Sequence, residues 1–455
     1  HLPKRTGDYE TATVVEQIIE GLLMGGRGFD ATAVLRSDRN LATIFGHASV
    51  ASEPTVFRVF CELAGLDQRR FEDVYQPVGT ESVRLDLFGK EKEPRRHVRI
   101  VSETPEAMGE NERQRLSALL LASAQRCGAA LGVNQLRVHG FLVSHLDGTD
   151  LEVEGRCFDA ARKNHEGNLS LRMMAFRVGP LYTSLRLLEG ASDEGHVMPA
   201  LIEESRALVD ELRGRSKLLV LIDAAGGEKL VIDALDKADW HFLIGANGNR
   251  AKLESIANDQ PDMIWISQGA DTSRGWDESQ TAVFAHQPEG HKKPVMVVAR
   301  RWREQGELPG TPWHHSFLYT NLQPSDLPRR KLGLYGFAAL CWMLYSMKQG
   351  HENHFKTFLS DLGGHHPASG RLGASEALSY ISALAANIWA AMSYRATPQE
   401  DRGIRLWRFI RDYVCVAARL VWQSGRTLLI QVAGAGLSKD FKDRWLDMFA
   451  SAGRL

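Results

Sequence analysis

Three acidic residues stand where folding alone gives little reason for an acid. Asp147 closes a strand-like run, Phe141-Leu142-Val143-Ser144-His145-Leu146, and is followed by Gly148-Thr149-Asp150. Asp223 closes a second run, Leu219-Val220-Leu221-Ile222, and is followed by Ala224-Ala225-Gly226-Gly227. A carboxylate at the end of an apolar strand is costly to keep charged unless a cation or hydrogen-bond donors meet it. The small residues after Asp223 let a substrate backbone come close. In open α/β sheets the functional crevice lies off the strand ends, so the two aspartates are expected to share one site. Either one alone also fits a turn or cap aspartate. Asp150 is a reserve for Asp147, on the opposite strand face by alternation. The third acid is Glu352. Tyr345, Lys348, Glu352, Lys356 and Leu359 are spaced by three, four, four and three residues, which sets them in one stripe along a helix. An acid among bases on such a stripe could hold a metal that the bases help to screen; a solvated Glu-Lys ladder has the same spacing.

Other constellations carry less. His351-Glu352-Asn353-His354 has its histidines three apart, where the zinc-protease helix needs four. His314-His315 and His365-His366 read as ordinary polar pairs. No Gly-x-x-x-x-Gly-Lys-Ser/Thr run occurs, which argues against a nucleotide-driven motor. The cysteines Cys61, Cys127, Cys157, Cys341 and Cys415 are scattered, odd in number and never in a Cys-x-x-Cys pair, as suits reduced thiols in a cytoplasm. Lys and Arg total 55 against 56 Asp and Glu, a formal net charge of -1, so any nucleic-acid surface must be local. Candidates are Arg95 to Arg99, the stretch from His291 to Arg303 with Lys292, Lys293, Arg300 and Arg301, and Arg329-Arg330-Lys331. The chain opens on His1 rather than Met, which points to a preceding segment, and His1 to Glu10 lack the apolar core of a secretion signal.

The elements that must position these residues follow from periodicity. At 455 residues with 44% hydrophobic and 24% charged side chains, the chain is globular and too long for a single ordinary core. Val14, Ile18 and Leu22, with Val15, Ile19 and Leu23, predict a helix over 11–24, and Ser52 with Pro54 opens another that turns Val56, Phe57, Phe60 and Leu63 inward. Residues 1 to about 75 read as a helical unit, either a bundle or a helix-turn-helix. A helix is expected near 110–127, then strands at 136–146, 169–178 and 181–188, the last two parted by Gly179-Pro180. Next come a helix at 196–213, a strand at 218–222, a helix at 228–237 and a strand at 242–244. Three consecutive strands followed by alternating helix and strand give an α/β fold with a mixed sheet covered by helices, the order of ribonuclease H-like nucleases. From 250 to 325 helical periodicity fades and short runs such as 263–266, 295–298 and 317–320 suggest an inserted β-rich subdomain. A long helix should run from Lys331 to about Leu362, stopped by Gly363-Gly364. The remainder reads as mostly helical, with Trp407, Phe409, Ile410 and Val414 as a buried stripe. The longest apolar-looking run, 332–347, is too short and too interrupted to span a membrane.

With these residues in place, the chain resembles the DDE transposases of bacterial insertion sequences, in the branch whose third acid lies in a Tyr-x-x-Arg-x-x-x-Glu-x-x-x-x-x-x-Lys signature. Leu146-Asp147-Gly148-Thr149 is similar to the family's first Asp motif, Leu221-Ile222-Asp223-Ala224 to its second, and Gln349 to Gly364 to its Glu-Asn helix. Val14 to Phe60, with Phe29-Asp30 and Ser52-Glu53-Pro54-Thr55, is similar to its helical N-terminal region. Lys348 stands where the signature has Arg, and Leu359 where it has Lys. The resemblance implies a ribonuclease H-like core in two parts, 101–250 and 326–364, a β-rich insertion at 251–325, a helical DNA-binding region at 1–100 and a helical C-terminal region at 365–455. It implies that Asp147, Asp223 and Glu352 bind two magnesium or manganese ions for phosphodiester hydrolysis and strand transfer. Tyr345, Lys348, Asn353 and Lys356 would contact DNA. The implied partners are double-stranded element ends and target DNA, and a second copy of the chain. A bacterial cytoplasmic, nucleoid-associated protein without a nucleotide cofactor is expected. Two rivals share much of this: a non-cutting relative that represses its own element, and an unrelated metal-dependent nuclease.

Overall fold

A computed structural model of the chain describes residues 9–66, 106–132, 136–153, 158–164, 166–190, 192, 194–214, 216–223, 228–246, 250–288, 293–308, 310–326, 333–348, 355–365, 370–397, 404–414, 418–423 and 427–432, with the short strands Arg84–Leu85 and Glu91–Lys92. Helices α1 (Thr11–Leu23), α2 (Glu53–Leu63) and α3 (Glu110–Leu131) come first. Strands β1 (Phe141–Glu152), β2 (Leu169–Val178) and β3 (Leu181–Glu189) follow. Then α4 (Met198–Arg213), β4 (Lys217–Ile222), α5 (Glu228–Ala238) and β5 (His241–Gly245) alternate. Next come α6 (Arg250–Asn258), β6 (Ile266–Asp271), β7 (Trp276–His286), β8 (Val295–Glu304), β9 (His314–Thr320), α7 (Gly333–Ser346) and the 25-residue α8 (Leu372–Ala396).

One mixed sheet of eleven strands results, most of it antiparallel; its order is β6, β7, β8, β9, β5, β4, β1, β2, with β3 also on β2 and two-residue strands at Arg137–Val138 and Arg162–Lys163. Only the β1–β4 and β4–β5 pairings are parallel. From Leu218 to Ile222 strand β4 is an unbroken apolar run, the composition a strand buried on both faces needs. Leu219 and Leu221 meet α7 on one face, while Leu218, Val220 and Ile222 meet α4 and α5 on the other. Each such side chain contributes ~1.5–3 kcal/mol when fully buried. Gly179 takes a positive φ of 55°, the backbone that a two-residue turn between β2 and β3 asks of its first residue. The apolar stripes of α1 and α2 share a third cluster with α8 and with Met173 and Ala175 of β2.

The β-rich segment at 251–325 is not set apart. It opens on α6, and β9 pairs with β5 through Leu318–Gly245, Tyr319–Ile244 and Thr320–Leu243, so its four strands extend the sheet. The reason is that an open β5 edge would leave its N–H and C=O groups without partners. The period of α6 escapes notice because it buries only Leu253 and Ala257. The helix expected over 331–362 is α-helical at 333–346, at Lys348 and at Phe355 and Lys356, with a turn at Met347, and Thr357–Asp361 is a π-helical turn; 349–354 lie outside the described residues. In that wider turn the buried Asp361 accepts a hydrogen bond from Arg405 Nη2 at 2.5 Å. Ala418–Gln423 and Thr427–Val432 form an antiparallel hairpin where helix was expected, as their Val, Leu, Ile and Thr content favours. Trp407 is 44% exposed rather than buried, with the Arg411 guanidinium 4.9 Å above its ring. No helix among the described residues is long and apolar enough to cross a membrane.

Candidate carboxylate site

Asp147 does not end its strand. Strand β1 continues to Glu152 along β2, but its parallel partner β4 stops at Ile222, which pairs with Leu146. The parallel register therefore sets Asp147 and Asp223 next to each other, each one residue past the last parallel pair. Alternation then decides which way they face. Phe141, Val143, Leu219 and Leu221 pack on α7, and Asp147 and Asp223 share their parity, so both aspartates belong to the α7 face. Gly148 faces the other side of the sheet and has no room for a side chain: a Cβ there would lie 2.4 Å from the sulfur of the buried Met174.

The end of helix α7 and the residues just after it supply the groups that meet them. The helix is fixed by Phe337, Cys341 and Leu344, all fully buried against β1, β4, β5, β8 and β9 residues. At its end the Tyr345 hydroxyl donates to the Ile222 carbonyl at 3.4 Å. One helical turn on, Lys348 Nζ lies 2.7 Å from Asp223 Oδ2 and 3.6 Å from Asp147 Oδ2. One ammonium thus faces both carboxylates. The Asp147 side chain is 24% exposed and that of Asp223 57%, so the pair is closed on the β1 side and open on the β4 side. Asp147 Oδ1 accepts the Gly148 amide at 2.9 Å.

Burial pushes the Asp147 carboxyl above the usual carboxylate range; the neighbouring Asp223 charge acts the same way, while Lys348, Arg177 and the Gly148 amide oppose it. The Tyr345 phenol is pushed up by burial and by the charges of Asp223 and Asp147. Arg177 on β2 is a member that sequence reasoning missed. It is 1% exposed, its pairing partner is His145, and its guanidinium lies 4.1 Å above the Phe355 ring. A single arginine in the run Met173 to Val178 is a readable signal, but the pairing that sets it beside Asp147 is not.

The other sequence candidates fall elsewhere. Asp150 accepts from Arg172 at 2.9 Å on the opposite strand face. Lys356 is exposed. Glu352 and Asn353 lie outside the described residues, as do Arg95 to Arg99, Lys292 and Arg329-Arg330-Lys331. The β8 arginines stack on indoles: Arg300 lies 4.0 Å above Trp342 of α7 and Arg301 4.2 Å above Trp265.

No family model matches the chain, and no curated protein matches it. Among solved structures it is similar to the "Mos1 transposase paired-end complex with left transposon end" at 14% identity and a TM-score of 0.18, over 53% of this chain and 60% of that one. It is also similar to the "Mos1 Strand Transfer Complex" at 16% identity and a TM-score of 0.17, over the same shares. The match spans about three fifths of those chains, and at such TM-scores nothing about this chain follows from the likeness.

Proposed function

We propose that the chain is a DDE transposase with a ribonuclease H-like core, cutting and joining the ends of a bacterial insertion element. The observation that supports this reading is the meeting of Asp147 and Asp223 at the point where two parallel strands part, opposite Tyr345 at the end of α7 and Lys348 just after it. Two hard oxygen donors whose shared space already draws in a cation, the Lys348 ammonium, fit a magnesium or manganese ion. Such ions take one or two carboxylates and complete their shell with water and phosphate oxygens. Among the described residues no cluster of three or more His, Cys, Asp or Glu forms a metal site, and the third donor in this reading is Glu352. Bound there, divalent cations supply Lewis-acid stabilisation to attacking and leaving oxygens of a phosphodiester.

The chain's own residues do the rest. Asp147, Asp223 and Glu352 would hold the ions, and Tyr345 holds the end of β4 through the Ile222 carbonyl. Arg177 places a buried positive charge near Asp147. Lys348, Asn353 and Lys356 serve the DNA backbone, and a second copy of the chain brings the other element end. No side chain is required as a covalent nucleophile.

The test is Asp223→Asn, which keeps the side-chain shape and removes its charge. Binding to DNA carrying the element's ends should be kept or tightened, with cleavage and joining in magnesium reduced at least a thousandfold, as for ligands acting as a unit. Asp147→Asn and Glu352→Gln should behave alike. A parent protein that binds those ends and never nicks them sinks the catalytic reading and installs the repressor.

A further inference from the structure

We infer that Lys348 is a built-in cation of the carboxylate pair, which divalent metal must displace and which DNA phosphate draws away, so that metal and DNA enter the site together. The inference rests on the reading of Asp147 and Asp223 as metal donors. Its ground is position. The Lys348 ammonium sits 2.7 Å from Asp223 and 3.6 Å from Asp147, while magnesium needs its oxygens at roughly 2.0–2.1 Å. Both cations would claim the same oxygens, and they repel one another.

Three features let Lys348 act as a removable occupant. First, the helix beneath it is anchored by Phe337, Cys341 and Leu344, and Tyr345 is tied to the Ile222 carbonyl, so the lysine is delivered to the pair by a fixed support. Second, its four-carbon stem lets the ammonium swing away with no change in backbone. Third, Asp223 is 57% exposed against 18% for Lys348, so the ammonium sits beside solvent on the Asp223 flank. Arg177, the nearby buried cation, is engaged with the Phe355 and Tyr182 rings. An arginine in place of Lys348 would fork onto a carboxylate with two parallel hydrogen bonds and leave less readily; the point charge of lysine suits exchange.

The experiment measures manganese binding to the full chain by electron paramagnetic resonance of free Mn2+. Without DNA, Lys348→Met should bind Mn2+ at least tenfold more tightly than the parent, and Lys348→Arg no more tightly. An Asp147→Asn, Asp223→Asn double variant should lose the site. In the parent, a mixed-sequence 40-base-pair duplex at low salt should tighten Mn2+ binding tenfold or more, beyond any gain in the double variant. This arm needs no lysine substitution and so does not depend on the variant folding. Equal Mn2+ affinity in parent and Lys348→Met, or no gain with duplex, overturns the inference. The proposed function fails separately: Lys348→Met with tightened Mn2+ binding in a protein that never cleaves DNA keeps the interlock and removes the transposase, and cleavage without any such tightening does the reverse.

Discussion

At the scale of single residues, the site is a compromise over charge. Asp147 gains one amide, half of an ammonium and a distant guanidinium, and loses most of its water. Its carboxyl is raised by burial first and by Asp223 second. A carboxyl raised above its unfolded value favours the folded state in its protonated form. That stabilisation is complete below the unfolded value and is lost as pH rises through the folded one. Ionised Asp147 is therefore a burden on the DNA-free protein at neutral pH. Asp147→Asn should raise the melting temperature by a few degrees at pH 7 to 8, with the gain shrinking toward pH 4. Parallel melting curves of parent and variant at every pH would refute the assignment. Both aspartates were legible in the sequence because an acid after an apolar run needs a reason. Arg177 and the inward turn of Lys348 were not, since each depends on which strand or helix lies opposite.

At the scale of elements, α7 carries the site and was the hardest to read. It is apolar on nearly all sides, so no stripe tells which face meets the sheet. Strand β4 posed the opposite case: a short unbroken apolar run between turn-like residues marks a central strand. The match between them rests on a cluster in which Leu344 is fully buried with Leu219, Leu221 and Val143. Leu344→Ala removes buried methyl groups and leaves a cavity under the last turn of α7. The loss expected is about 2–5 kcal/mol in urea unfolding, together with weaker Mn2+ binding as Tyr345 and the helix end lose their support. A loss below about 1 kcal/mol would mean that α7 does not pack as described. The hairpin at 418–432 and helix α6 were missed for a different reason: each is short, and a period needs about three turns or strands before it separates from chance.

At the scale of the whole molecule, a formal net charge of -1 gives no general attraction to DNA, so binding must come from a few cations in the right places. The arginines of β8 are poor candidates, because Arg300 and Arg301 lie on tryptophan rings and leaving those faces would forfeit cation–π contacts worth about 0.5–2 kcal/mol each. Lys348 starts from the carboxylate pair. Lys356 is different: it is exposed, sits just before the π-helical turn, and adjoins Phe355, which is buried in the cluster shared with α8. Its ammonium is therefore carried on a fixed base and exposed where it can meet a phosphate. Each phosphate contact releases counterions, and the slope of log affinity against log salt changes by roughly 0.9 per contact on duplex DNA. Lys356→Ala should flatten that slope by about one contact for any duplex sequence, while Mn2+ binding without DNA stays at the parent value. Lys348→Ala should flatten it as well but also tighten Mn2+, since it empties the carboxylate pair. Filter binding across a series of salt concentrations, with Mn2+ titrations beside it, separates the two lysines. An unchanged slope in Lys356→Ala would place the DNA track on another face of the molecule.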